Sequence, residues 1–156
     1  MTQPAFIPRA CALWARLSGV LDSLQPAAAL AARIYIAQVF FLSGLTKLRD
    51  WDTTVALFTD EYKVPVLSPA IAAVMGTTGE TLLPILLLLG LGGRFAALGL
   101  SVVNAVAIVS LTEIAPAAFQ QHIFWGSLLA ALAIYGPGPW SLERVVWPRL
   151  LGSRAA

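Results

Sequence analysis

Residues 69–91 read PAIAAVMGTTGETLLPILLLLGL, an apolar run with a single carboxylate, Glu80, near its middle. As a helix rising 1.5 Å per residue it extends for roughly 34 Å, enough to cross a hydrocarbon core of about 30 Å. An ionisable group at that depth costs at least ~2.5 kcal/mol by insertion scales, so it faces the protein interior and needs a partner. The rest of the chain is expected to gather around this segment as three more membrane helices, an all-α four-helix bundle.

Composition agrees. Of 156 residues 58% are hydrophobic and 12% charged, and the mean hydropathy is +0.79. Soluble domains are about 25% charged, so half that value points to lipid as the solvent. A net charge of +2 is too small to suggest a nucleic-acid partner, and the basic residues sit at the ends of apolar runs. One cysteine, Cys11, excludes an intramolecular disulfide and a Cys-based metal cluster. No metal site is predicted. The start of the chain lacks the basic, apolar and small-residue order of a signal peptide, so it is expected to be retained.

Outward from the central run, residues 1–25 carry Leu13, Leu17, Val20, Leu21 and Leu24 at helical spacing, with Trp14 beside them. They read either as a helix lying in the membrane interface or as a loosely ordered leader. Pro26 is expected to open the first span, about 27–45. Within it Arg33, Phe40, Gly44 and Lys47 fall in a stripe about 60° wide that faces the bundle, with Gly44 permitting close helix approach. Residues 46–68 hold Asp50, Asp52, Asp60 and Glu61, and predict a short surface helix followed by an extended segment. A connection of that length has a task, such as a lid or a docking surface. The GLGG sequence at 90–93 leaves room only for a tight turn between antiparallel neighbours. The third and fourth spans are predicted over about 95–114 and 117–135, and residues 137–156 form a Pro/Gly turn and a basic amphipathic tail.

Arg9, Arg16, Arg94, Arg144, Arg149 and Arg154 lie on the side of the termini, against Lys47, Arg49 and Lys63 on the other. The positive-inside rule then places both termini in the cytoplasm and the acidic loop outside. By helical rise, Glu80 lies roughly 16 Å from one face and Asn104 roughly 14 Å from the other, both near the midplane. His122 is about 8 Å below the outer surface, Lys47 near that surface, and Arg33 about 10 Å above the inner face. The predicted arrangement is a polar column with Lys47 and His122 above, Glu80 and Asn104 below, and Arg33 as a floor reaching up to Glu80. Each residue also has a structural reading: an ion pair or protonated carboxyl for Glu80, snorkelling for Lys47 and Arg33, helix gluing for Asn104 with Ser101, and a cap for His122.

Arg33, Phe40, Ser43–Gly44 and Lys47 in the first span are followed by LFTDEYKVPVLSP (57–69), TTGETLLPILLLLGLGGRFAALGL (77–100), QHIFWGSLLA (121–130) and YGPGPWSLER (135–144). Taken in order, these stretches resemble the DoxX family of small bacterial membrane proteins. The resemblance implies a four-helix inner-membrane protein labelled an oxidoreductase, with relatives linked to a thiosulfate:quinone oxidoreductase and to complexes that handle oxidative stress. The nearest subgroup is associated with gene clusters for metal-binding modified peptides. The matching positions Arg33, Lys47, Glu80, Arg94 and His122 are the candidates it supplies.

Three functions compete. In the first, a redox-linked subunit binds quinone in the outer half of the bundle. His122 and Lys47 (with Arg33 and Arg94 as further candidates) bind the head group, Glu80 and Asn104 relay protons, and a periplasmic or membrane partner supplies electrons. In the second, the protein is a non-enzymatic membrane partner or assembly factor for a periplasmic metal-handling or peptide-maturation system. In the third it is a small proton-coupled transporter, with Glu80 as the coupling carboxylate. Small residues at 44, 76 and 79 permit a homo-oligomer.

Overall fold

Alternate burial of one helical face against lipid and one against protein shapes every long element of this chain. In the computed structural model, which describes residues 6–151, the elements are α1 (Phe6–Arg49), α2 (Trp51–Asp60), α3 (Pro69–Leu89), α4 (Gly93–Ser110), α5 (Pro116–Tyr135) and α6 (Glu143–Leu151). Four of them, α1, α3, α4 and α5, are long and apolar enough to cross a membrane. The all-α class and the four expected spans are present, with the turn at Gly90–Gly92 joining α3 and α4.

Helix α1 does not begin at Pro26, as the sequence suggested, but runs through it. A proline inside a helix removes its own N–H from the hydrogen-bond ladder and crowds the carbonyl four residues earlier, but apolar surroundings favour continuing the helix over exposing further backbone. At 44 residues α1 is about 66 Å long, roughly twice the hydrocarbon thickness. Residues 1–5 of the expected N-terminal segment, and 152–156 of the tail, lie outside the described residues. Helix α4 stops at Ser110, before the predicted end near 114, because Leu111 turns extended and bridges to Tyr62. The Lys63 N–H donates to the Ser110 carbonyl at 2.8 Å. Within 46–68 the expected short helix is α2, capped by Asp50, whose carboxylate accepts from the Thr53 N–H.

The helices pack in the order α1–α3–α4–α5, with α1 also touching α5 and α2 lying on α3. The main core, including Ile36, Phe40, Leu87, Leu100 and Leu129, lies where these four meet. A smaller cluster, Phe58 with Ala72 and Ala73, joins α2 to the start of α3. We call the end of the bundle that carries α2 the loop end and the opposite one the turn end.

Close approach of α1 to α3 rests on Gly44. A Cβ there would sit 2.7 Å from Thr81 Cγ2 and 3.0 Å from the Glu80 backbone. Gly44→Ala should therefore force the helices apart and cost about 1–3 kcal/mol, measurable as a lower unfolding midpoint in detergent. A variant as stable as the parent would show that the two backbones do not need this contact.

At the turn end, the last carbonyls of α3 have no partners within the helix. The Leu91 N–H reaches Leu86 O at 3.0 Å, Leu142 N–H reaches Leu89 O at 3.0 Å, and Glu143 N–H reaches Gly90 O at 3.1 Å. Arg33 takes the others, donating from Nε to Leu87 O at 2.9 Å and from Nη2 to Leu88 O. Its Nη1 donates to Pro137 O at 3.0 Å and Trp140 O at 2.7 Å. The tail is thus bound to the α3–α4 turn, where Glu143 also accepts from the Gly93 N–H at 3.1 Å.

Candidate functional site

The last turn of α1 places Lys47 over the middle of α3. Its Nζ donates to Glu80 Oε2 at 2.5 Å and to Ser43 Oγ at 2.9 Å. Both side chains of the pair are 12% exposed, so lipid and water are largely excluded from it. Thr54 fixes the α1–α2 corner above by donating to the Lys47 and Asp50 carbonyls at 2.8 and 2.9 Å. The stripe of Arg33, Phe40 and Gly44 is buried as its spacing predicted, with Lys47 half-buried at its end.

Beside the ion pair lies a cavity of about 420 Å³, within the 300–1,000 Å³ typical of small-molecule sites. Val103, Val106 and Ala107 of α4 form one wall, Met75 and Gly76 of α3 another. Phe58 and Tyr62, stacked at 5.2 Å between ring centroids, close the loop end. Val64, Pro65 and Leu67 of the segment before α3 complete the cover. Polar atoms enter this apolar space only from Lys47, Glu80, Tyr62 and Ser110 among the lining side chains.

Tyr62 is half-buried, and burial, then the Glu80 and Glu61 carboxylates, push its phenol above the usual tyrosine range. A raised folded pKa means that this contribution to stability is complete below about pH 10 and is lost as pH rises through the folded value. Tyr62→Phe should therefore flatten the alkaline fall in stability and remove from an absorbance titration a component that ionises above the usual tyrosine range. If the component lost lies within the usual range instead, the phenol is in water.

The structure divides the predicted polar column into three places. Lys47 and Glu80 meet at the cavity. Asn104 and His122 meet each other instead: His122 Nδ1 lies 2.8 Å from Asn104 Oδ1, and Asn104 Nδ2 donates to the His122 carbonyl at 3.0 Å. Asn104 follows Val103 by the roughly 100° that one residue turns on a helix, which sends it towards α5 and not into the cavity. His122 packs edge-on to Trp125 at 4.9 Å. Arg33 lies at the turn end on backbone carbonyls, away from Glu80. Arg94 is exposed at the start of α4, with its Nε near Gly136.

Sequence reasoning passed over Tyr62 and Ser110, neither of which is marked by its local spacing. Both reach the site because the chain after α2 folds back onto the end of α4, a long-range contact that no local spacing encodes.

A family model described as DoxX matches residues 28–113, more than half of the chain. The chain belongs to the DoxX family. The matched region holds every residue that lines the cavity, and it ends before His122 and the tail that Arg33 binds. With its apolar helices, membership makes this DoxX protein an integral membrane protein of several spans. No curated protein and no solved structure matches it.

Proposed function

We propose that this DoxX protein is a redox-linked membrane subunit whose loop-end cavity binds the head group of a quinone. The observation that carries the reading is the buried Lys47–Glu80 pair set in the wall of an otherwise apolar, ring-sized space. A quinone supplies two-electron chemistry coupled to uptake of two protons. Lys47 donates a hydrogen bond to a head-group carbonyl and balances negative charge developing there, as a preorganised cation does in a dry site. Glu80 holds Lys47 in place and is the carboxylate placed to exchange protons with the head group. Asn104 and His122 serve as the clamp between α4 and α5, so this reading assigns the head group to Lys47, Glu80 and Tyr62.

The chain has one cysteine and one histidine, and electrons reach the cavity from a partner protein. The exposed carboxylates Asp52, Asp60 and Glu61 on and after α2 support docking there, next to the cavity cover. The positive-inside asymmetry supports an orientation with the loop end outside the bacterial inner membrane and both termini in the cytoplasm.

The test is extraction of protein purified from native membranes in mild detergent, followed by identification of bound quinone. Wild type should retain it stoichiometrically. Lys47→Met/Glu80→Gln, which removes both charges together, should lose at least about tenfold in affinity for added decyl-tailed benzoquinone, and His122→Ala should stay within about twofold. A double variant that binds as the parent does overturns the reading.

A further inference from the structure

Several hydroxyls on the helices of this protein are satisfied by their own helix. Thr46, Thr59, Thr81, Ser101 and Ser127 each donate to the carbonyl four residues earlier. Ser110, in the last turn of α4, does not. It is 2% exposed, its Oγ has no hydrogen-bond partner, and it lines the cavity. Thr77 and Ser141 also hold unpartnered buried hydroxyls, but neither lines the cavity.

Ser110 stands at the opposite end of the cavity from the ion pair. A Cβ on Gly79 would lie 3.0 Å from Val103 Cγ2, so Val103 is level with the residue before Glu80. Seven residues separate Val103 from Ser110, a rise of about 10 Å along α4. A six-membered ring with oxygens at its two ends fits between donors so placed once the side chains reach inward.

The side of the cavity is open in a specific direction. Met75 of α3 and Val102 and Val109 of α4 all line it, yet they are 58%, 63% and 68% exposed. On helices that cross a membrane, such apolar exposure faces acyl chains. Gly79 against Val103 closes the seam between α3 and α4 below, and the mouth lies above that contact.

Resting on the reading of the cavity as a quinone site, we infer that its ligand enters sideways from the lipid between α3 and α4. The tail lies across Met75, Val102 and Val109, and Ser110 hydrogen-bonds the head-group oxygen remote from Lys47. The ligand class is therefore a membrane-dissolved quinone with an alkyl or isoprenoid tail, not a water-soluble one.

The experiment compares two probes on purified protein in detergent, a benzoquinone carrying a decyl tail and the same ring without it. Val102→Trp fills the mouth from a lipid-facing position that tolerates the larger side chain. It should weaken the tailed probe by at least about tenfold and the tailless ring by less than about twofold. Ser110→Ala should weaken both alike, by about five- to tenfold, one hydrogen bond's worth, with no loss of thermal stability because the hydroxyl has no partner to lose. Equal effects of Val102→Trp on the two probes, or none on either, overturn the sideways route. Unchanged binding by Ser110→Ala overturns its role as the second anchor. If neither probe binds the wild-type protein, the quinone reading itself fails, and the sideways route falls with it.

Discussion

Arg33→Ala should lower the melting temperature of the detergent-purified protein by several degrees. The guanidinium is 1% exposed and donates to four carbonyls from two separate parts of the chain. A charged hydrogen bond contributes about 1.5–3 kcal/mol in soluble proteins, and interhelical ones in membranes average about 0.6. Even the lower scale gives roughly 2–3 kcal/mol for four bonds, before the cost of leaving carbonyls unpaired in lipid. At about 2–4 °C per kcal/mol for a chain of this size, the drop should be roughly 4–12 °C. Arg33→Lys should recover less than half of it, since a single ammonium lacks the planar fork that spans separated acceptors. Thermal denaturation followed by circular dichroism gives the answer, and a drop under about 2 °C would mean that other donors replace the guanidinium.

The second large effect concerns Lys47 and Glu80. Removing one partner of a buried pair leaves the other charge uncompensated, at about 3–5 kcal/mol, whereas removing both is often nearly neutral. Lys47→Met and Glu80→Gln should therefore each destabilise by about 3 kcal/mol. The double variant should return to within about 1 kcal/mol of the parent. A double-mutant cycle on unfolding in detergent measures this directly. Additive losses would mean that the two side chains are solvated separately and that the cavity wall is not an ion pair.

Much of this architecture was legible in the sequence because membranes impose their own arithmetic. Runs of about 20 apolar residues bounded by Pro69, the 90–93 glycines, Pro116 and Gly136 fix the spans within a few residues, and Gly44 marks a close approach by its place between Arg33 and Lys47. The pairing of Lys47 with Glu80 was within reach for the same reason, since depth along two helices can be counted. Depth alone, however, cannot distinguish side chains at one level that face different neighbours. That is why His122 was grouped with Lys47, although one residue's rotation carries Asn104 towards α5 and takes His122 with it. Arg33 was expected to rise towards Glu80 because the sequence does not reveal that the chain after α5 returns to the end of α3 with its carbonyls free. Pro26 misled for a simpler cause: proline is welcome at a helix start and also tolerable inside a membrane helix.

The Arg33 contacts also set an order of events during synthesis. Its acceptors on Pro137 and Trp140 lie 104 and 107 residues later in the chain. At the usual elongation rate of about 5–20 residues per second, the ribosome needs roughly 5–20 s to make them after Arg33 has appeared. The carbonyls of Leu87 and Leu88 arrive after 54 and 55 residues, so for about the second half of that interval the guanidinium holds only two of its four acceptors. The helix that leads the chain into the bilayer is thus fastened in two stages, first to α3 and then, much later, to the segment that follows α5.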